Sequence, residues 1–240
     1  MIELAASSAE IAIDGADLVV IAASPLDTLD LLRALAGPWH RSLAPDAVIT
    51  DVASTKASIV ALAGELGLRF VGGHPLAGRE TAGFKAADPD LFRDRPWVLV
   101  PSADTAAISR VESLVGLCGA VPIRMPAEEH DRVVAAISHL PLVLSAALVE
   151  AVAGGPGVAR PGWSAASGLA AGGWDSMTRL ARGDVEMGTG IAATNAREIA
   201  VRLRDVREVI DAWLADLEGP DADAIRTRLA AARAVLVDDS

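Results

Sequence analysis

The sequence predicts an α/β domain with a doubly wound parallel sheet, followed by an all-helical domain. Short apolar runs alternate with segments of helical spacing through the first half of the 240 residues. The run DLVVIAAS (17–24) is apolar at consecutive positions, which is typical of a parallel strand buried on both faces. From about residue 127, apolar residues recur at the helical period of three and four. The expected domains are residues 1–126 and 127–240.

The first domain contains five predicted strands and two well-defined helices. The strands cover 17–24, 47–54, 69–73, 96–102 and 120–125, and the helices cover 27–36 and 55–66. Ser54 precedes the second helix and is a residue type that caps helix N-termini. Gly67 follows that helix and is suited to end it.

The second domain is predicted from helical periodicity. One apolar series begins near residue 133, and Pro141 should kink its helix because proline cannot donate a backbone hydrogen bond. Residues 154–173 are rich in glycine, alanine and proline, and loops of that length are usually functional or mobile. Helices follow at 195–217 and 222–237. The apolar face of the first exceeds what one small helical layer covers, so a homodimer is expected. That face comprises Ile199, Leu203, Val206, Ile210 and Leu214.

Composition excludes several classes of function. Hydrophobic residues make up 52% of the chain, which excludes disorder. The net charge of −11 and the absence of a basic stripe with aromatic residues argue against nucleic-acid binding. A single cysteine, Cys118, rules out an internal disulfide and suits a reducing cytoplasm. No charge-free apolar stretch is expected to reach the ~18 residues of a membrane helix, so a cytoplasmic protein without a membrane partner is predicted.

Three polar residues follow separate predicted strands and are candidates for a ligand site. Ser24, Ser54 and His74 fall at strand ends, and ligands of open α/β sheets bind outside the carboxyl ends of the strands. Glycines 72, 73 and 78 should allow close approach of backbone and ligand around His74.

Each candidate also has a simpler structural explanation. His74 in a Gly-Pro loop is more often a turn residue, and Ser54 is more often only a helix cap. His139 lies in an apolar helix, where a core histidine is the default. Residues 128–131 (EEHD) precede an apolar helix and fit a first turn that complements the helix dipole better than a metal site. No metal site is predicted.

Four segments taken in order carry much more information than any one residue. DVASTK, GGHPLAG, EEHDRVVAAISHLP and TRLA closely resemble the prephenate dehydrogenase family of tyrosine biosynthesis, over about Asp17 to Asn195. The resemblance implies a Rossmann domain and a helical domain that builds a dimer. It also implies oxidative decarboxylation of prephenate or arogenate with hydride transfer to NAD or NADP.

The resemblance implies a role for each matching residue. His74 matches the catalytic histidine that takes the proton from the ring hydroxyl, and Ser54 matches a serine near the same hydroxyl and the cofactor. His139 matches a histidine that faces the substrate. Arg179 matches an arginine expected to hold a substrate carboxylate. Ser24, Pro25 and Ser54 are the expected cofactor contacts.

The sequence also departs from the family. It has no G-x-G-x-x-G turn, and DLVVIAAS corresponds to the fourth strand of a dinucleotide-binding sheet, so the first two strands are missing. We therefore expect these 240 residues to bind NAD weakly, to fail to turn over prephenate, and to expose an edge at strand 17–24.

Two other functions remain open at this point. One is a different hydroxy-acid dehydrogenase of similar architecture, although such enzymes typically use a lysine that the SHLP helix does not offer. The other is a non-catalytic dimeric remnant that binds an aromatic metabolite or a full-length homologue. The sequence does not choose between NAD and NADP, or between prephenate and arogenate.

Overall fold

The computed structural model describes residues 5–78, 87–155 and 157–238. By compactness the chain divides into two units, residues 1–199 and 200–240. Among the described residues, the first unit contains two three-stranded sheets, one two-stranded sheet and most of the helices. The second contains the greater part of one long helix and all of the last one.

The first sheet has three parallel strands in the order β1-β2-β3. Its pairing places Leu18 beside Val48 and Ile49 beside Phe70. β1 pairs only with β2 in the described sheet, and Val20 is 42% exposed, which confirms the predicted exposed edge. In chain order the secondary structure here is α1 (Ala9–Ala12), β1 (Leu18–Ile21), α2 (Pro25–Ala36), a 3-10 turn (His40–Ser42), β2 (Val48–Asp51), α3 (Ala57–Glu65) and β3 (Phe70–Val71).

The second sheet contains the one strand whose direction was predicted wrongly. It comprises β4 (Gly73–Pro75), β5 (Pro96–Leu99) and β6 (Val121–Arg124), with α4 (Thr105–Leu117) crossing between β5 and β6. β5 and β6 are parallel, but β5 runs antiparallel to β4. A parallel pair needs a long crossover, usually a helix. The described residues between β4 and β5 form only turns and irregular structure.

Helices cover both faces of the first sheet, as expected for a doubly wound fold. Alternate residues of β2 enter different cores, and all four of its residues are buried. Ile49 packs in a core that includes Leu32 of α2 and Ile59 of α3. Val48 packs in a second core that includes Val111 of α4. Burial on both faces explains why these strands are continuously apolar in sequence.

The helical region begins with a long helix that corrects the membrane expectation. α5 (Ala127–Val134), a π-helical turn (Ala135–His139) and α6 (Leu140–Val152) form one continuous helix. Its 26 residues are long and apolar enough to cross a membrane, although the sequence was expected to contain no such stretch. Its polar residues His130, Asp131 and His139 are buried in contacts with the protein, whereas only 22% of its apolar window is buried. Pro141 was predicted to kink this helix, and the structure has a π turn that ends at His139, two residues before the proline.

The described residues after α6 are mostly helical, with a short hairpin within the predicted loop 154–173. That segment therefore has more secondary structure than the sequence indicated. It contains β7 (Gly154–Gly155), β8 (Val158–Ala159) and α7 (Trp163–Ser167), and it is followed by α8 (Gly172–Thr178), a 3-10 turn (Leu180–Arg182), α9 (Val185–Thr194), α10 (Ala196–Glu218) and α11 (Ala222–Asp238). Within the second unit, Arg228 of α11 forms an ion pair with Asp216 and lies 5.0 Å from the Trp213 ring of α10.

Candidate active site

Asp131 of α5 caps the N-terminus of α3. Its two carboxylate oxygens accept hydrogen bonds from the backbone N–H groups of Lys56 (2.7 Å) and Ala57 (2.9 Å). The prediction that Ser54 caps this helix is wrong, because the N-cap residue is Lys56 and no local side chain bonds to the helix end. The anion comes instead from a helix 74 residues further along the chain, and it complements the helix dipole equally well.

A chain of hydrogen bonds joins Asp131 to His74. His130 Nδ1 lies 2.8 Å from Asp131 Oδ1, and His130 Nε2 lies 2.8 Å from His74 Nδ1. The two imidazole rings meet edge to face at 79°. His130 is fully buried, and His74 is 9% exposed. The order carboxylate, imidazole, imidazole can orient His74 and leaves its Nε2 as the nitrogen available to a ligand.

A buried ion pair lies beside this chain. Lys56 Nζ contacts the carboxylate of Asp51, and neither side chain is exposed. Asp51 also accepts hydrogen bonds from the backbone N–H groups of Ala53 (3.1 Å) and Gly73 (3.0 Å). Burial raises the pKa of Asp51 and lowers that of Lys56, and their mutual attraction opposes both effects.

Gly73 is required by the packing of the protein itself. A Cβ there would lie 2.7 Å from the backbone oxygen of Asp51, closer than such atoms approach. At Gly72 a Cβ would lie 2.8 Å from Val60 Cγ2. Close packing within the protein therefore explains both glycines without the predicted approach of a ligand.

The environment of His74 favours its neutral form. Burial lowers the pKa of His74 well below its usual range, and the neighbouring His130, Lys56 and His139 lower it further. At neutral pH the ring therefore carries a lone pair that can accept a proton.

His139 of the π turn is held by Asn195, which follows α9. The Asn195 amide nitrogen donates to the backbone oxygen of Asp131 (2.8 Å) and lies 3.1 Å from His139 Nδ1. Burial lowers the pKa of His139 to about 4, with a smaller contribution from His130, while Asp131 and the nearby Ser54 backbone oppose this. Its Nε2 is buried and makes no hydrogen bond with any described residue.

The other predicted residues lie either at the ends of β1 and β2 or after α8. Ser54 is half-buried between β2 and α3, and Ser24 caps α2 by accepting from the backbone N–H of Asp27 (3.2 Å). Because β1 and β2 are parallel neighbours, both serines lie at the same sheet edge. Pro25 is buried next to Gly190, where a Cβ would lie 2.8 Å from Pro25 Cδ. Arg179 follows α8 and its side chain is exposed.

The structure thus brings His74, His139 and Ser54 together and adds residues that sequence reasoning did not select. His130 and Asp131 were attributed to a helix first turn, and Asn195 was not considered at all. The described ranges contain no group of three or more histidine, cysteine or acidic side chains arranged to hold a metal ion.

Mostly parallel strands covered by helices, a buried histidine at a strand end and a following helix that adds a second histidine place the chain among doubly wound α/β proteins with an added helical region. Comparison with known families makes this specific. Residues 3–124 match the model described as prephenate dehydrogenase, nucleotide-binding domain, and residues 126–231 match prephenate dehydrogenase, dimerization domain. The chain belongs to the prephenate dehydrogenase family.

Individual relatives agree with this assignment. The chain is 37% identical over 158 residues to a probable prephenate dehydrogenase of Streptomyces niveus, a match that covers 62% of this chain but 42% of that protein. The matched chain thus spans less than half the length of this curated relative. Arogenate dehydrogenase of Synechocystis superposes with a TM-score of 0.76 at 29% identity, over 96% of this chain and 82% of the other.

A solved structure of lower sequence identity supports the fold assignment alone. Prephenate dehydrogenase of Aquifex aeolicus, solved with hydroxyphenyl propionate and NAD+, has a TM-score of 0.81 at 24% identity, over 93% of this chain and 77% of the other.

Proposed function

We propose that this chain carries an active site for NAD- or NADP-dependent oxidative decarboxylation of prephenate or arogenate, a step of tyrosine biosynthesis. The observation that carries the proposal is a buried, neutral His74 placed beside His130 and His139. A base that is neutral at the working pH suits removal of a proton from a hydroxyl group, and a second imidazole nearby can donate a hydrogen bond to the substrate.

His74 accepts the proton of the substrate ring hydroxyl at Nε2. When bound, NAD or NADP would supply the nicotinamide that accepts a hydride from the carbon bearing this hydroxyl. The ring carboxylate then leaves as carbon dioxide, and its bonding electrons complete the aromatic ring. The proton held by His74 then returns to the oxygen, so the product carries an aromatic hydroxyl and the groups lost from the substrate are one hydride and carbon dioxide.

The nicotinamide end of the cofactor is assigned to the edge where β1 and β2 end. Ser24, Pro25 and Ser54 lie there, and parallel α/β sheets bind ligands outside these strand ends. The NAD+ held by the Aquifex aeolicus enzyme supports the same class of cofactor. The sequence has no G-x-G-x-x-G turn, so no residue is assigned to the pyrophosphate.

The substrate is assigned to the helical side of His74. His139 Nε2 is buried and makes no hydrogen bond with any described residue, and the exposed Arg179 guanidinium is suited to a substrate carboxylate. Hydroxyphenyl propionate, held by the Aquifex aeolicus enzyme, combines an aromatic hydroxyl with a carboxylate. Both features are expected in the product of the proposed reaction.

A cytoplasmic homodimer is proposed for the assembly, with the domain boundary near residue 126. The family match to a dimerization domain supports it, as do the half-exposed apolar side chains of Ile210 and Leu214. A single cysteine is consistent with a reducing compartment.

Turnover assays with NAD and NADP test the proposed reaction. Prephenate and arogenate are each supplied, and the reduced nicotinamide and the aromatic product are both quantified. Isothermal titration with hydroxyphenyl propionate tests the substrate side separately, and Arg179→Ala provides the comparison. Binding that Arg179→Ala weakens supports the substrate assignment even at low turnover. Failure to bind this compound would overturn the assignment.

A further inference from the structure

We infer that Asp131 and Asn195 are positioning residues that fix opposite tautomers in two histidines, so that His74 presents a lone pair at Nε2 and His139 presents an N–H at Nε2. The tautomers follow from hydrogen-bond geometry once each imidazole carries a single N–H proton. Their roles as base and substrate donor rest on the proposed function.

The tautomer of His74 is set through His130. Both oxygens of the Asp131 carboxylate accept backbone N–H groups, and Oδ1 also faces His130 Nδ1, so this nitrogen must donate. A neutral imidazole carries one N–H, which leaves His130 Nε2 as an acceptor. His74 Nδ1, at 2.8 Å, must then donate to it. The lone pair of His74 is therefore on Nε2.

The tautomer of His139 is set by Asn195 in the opposite sense. The backbone oxygen of Asp131 can only accept, which identifies the Asn195 atom 2.8 Å away as the amide nitrogen. That nitrogen has a second N–H, and His139 Nδ1 at 3.1 Å is placed to accept it. The single proton of neutral His139 is therefore on Nε2, the buried nitrogen that has no protein partner in the described residues.

The two arrangements share one residue. The side chain of Asp131 controls His74 through His130, and the backbone oxygen of Asp131 orients the amide that controls His139. Asp131 itself is fixed at the end of α3 by two backbone hydrogen bonds. A substrate hydroxyl can donate to His74 while an oxygen of the substrate accepts from His139. If the two tautomers were exchanged, the hydroxyl would face an N–H group and the substrate oxygen would face a lone pair.

Nitrogen NMR of the histidine rings at neutral pH tests the tautomers directly in the 240-residue chain. The expected spectrum has a protonated Nδ1 and an unprotonated Nε2 for His74, with the reverse for His139. The same tautomer in both rings, or a protonated Nε2 in His74, would overturn the inference. This measurement does not require turnover, so a correct spectrum from a chain that fails to bind hydroxyphenyl propionate counts against the proposed function alone.

Variants separate a positioning role from a merely structural one. Glutamine can present an amide oxygen to His74 and an N–H to Asp131, whereas leucine can do neither. In a protein with measurable turnover, we expect His130→Leu to release the His74 tautomer and to lower kcat by roughly 10²-fold or more with little change in KM. His130→Gln should restore most of the His74 tautomer signal and most of kcat. Equal loss in the two variants would contradict positioning through this hydrogen bond.

Asn195→Asp removes the amide donor at almost constant shape. We expect His139 to move its proton to Nδ1 and the affinity for hydroxyphenyl propionate to fall about tenfold, while the His74 spectrum is preserved. Thr194→Val is the matched control, because it removes the neighbouring 2.8 Å hydrogen bond to Thr55 without contacting either histidine. An Asn195→Asp spectrum and affinity equal to those of Thr194→Val would refute the assignment.

Discussion

The ammonium group of Lys56 and the carboxylate of Asp51 form an ion pair in which neither side chain is exposed to solvent. Asp51 ends β2, and Lys56 immediately precedes α3, so the pair closes the short connection between strand and helix. The charge of Lys56 also contributes to the low pKa of His74. The pair therefore links the stability of the α/β domain to the properties of the candidate base.

Lys56→Met should strongly destabilise the protein. It leaves the Asp51 carboxylate buried without its counter-charge, and breaking a buried pair in this way costs about 3–5 kcal/mol. Chemical denaturation measures the free energy of unfolding. The double variant Asp51→Asn with Lys56→Met should recover part of the loss, because no unpaired charge remains.

An exposed ion pair provides the control for this experiment. Arg33 and Asp30 are 2.7 Å apart with side chains 57% and 79% exposed. Arg33→Ala should change the free energy of unfolding by about 1 kcal/mol or less, since exposed pairs contribute little. Equal losses in Arg33→Ala and Lys56→Met would contradict a special role for the buried pair.

His74→Asn should lower kcat by about a hundredfold or more and change substrate binding little. Removal of a general base costs roughly 10² to 10⁴ in rate. The comparison requires steady-state kinetics in a protein with measurable turnover, with titration of hydroxyphenyl propionate as the binding control. An unaltered kcat would remove His74 from the mechanism.

The stability of the protein should fall as the pH falls below 7, with a contribution from His139. The pKa of His139 is about 4 in the folded protein, against a usual value of about 6.5 when unfolded. Between these values only the unfolded state binds the proton, so acid favours unfolding. The free energy of unfolding of the wild type, relative to His139→Gln, should fall by at most about 1.4 kcal/mol per pH unit. Parallel curves from pH 7 to 4 would show that His139 titrates normally.

Arg179→Ala should act mainly on substrate affinity. A carboxylate contact is present in the ground state and in the transition state, so its loss raises KM more than it lowers kcat. The expected cost is on the order of 2–5 kcal/mol if the contact is desolvated. Arg182→Ala is a suitable control, because Arg182 forms an exposed ion pair with Asp175. An unchanged KM for prephenate would exclude the assignment.

The fold could be predicted where local sequence determines local structure. Continuous apolar runs identified β1 and β2, and helical periodicity placed α2 over nearly the predicted residues. The direction of β5 could not be predicted this way, because it depends on how the chain returns after β4. An apolar run has the same appearance in a parallel and an antiparallel strand when both faces are buried.

The candidate site shows the same division between local and distant interactions. His74 could be selected because its glycine-rich segment has a recognisable pattern. Asn195 has no comparable local pattern, since its contacts with Asp131 and His139 lie 64 and 56 residues away in sequence. Ser54 was expected to cap α3 because serine often does so, but Asp131 reaches that position only in the folded chain.

Leu214→Asp should convert the expected homodimer to a monomer. Leu214 is 54% exposed in the single chain, and it belongs to the apolar face of α10 from which dimerisation is predicted. A buried, unpaired carboxylate at an apolar interface costs several kcal/mol, enough to shift the association equilibrium strongly. Sedimentation equilibrium at micromolar concentration measures the mass. Leu117→Asp is the control, because Leu117 ends α4 in the α/β domain and is 87% exposed, so it should leave the dimer intact. A monomeric wild type, or dissociation by both variants alike, would rule out an interface built on this face.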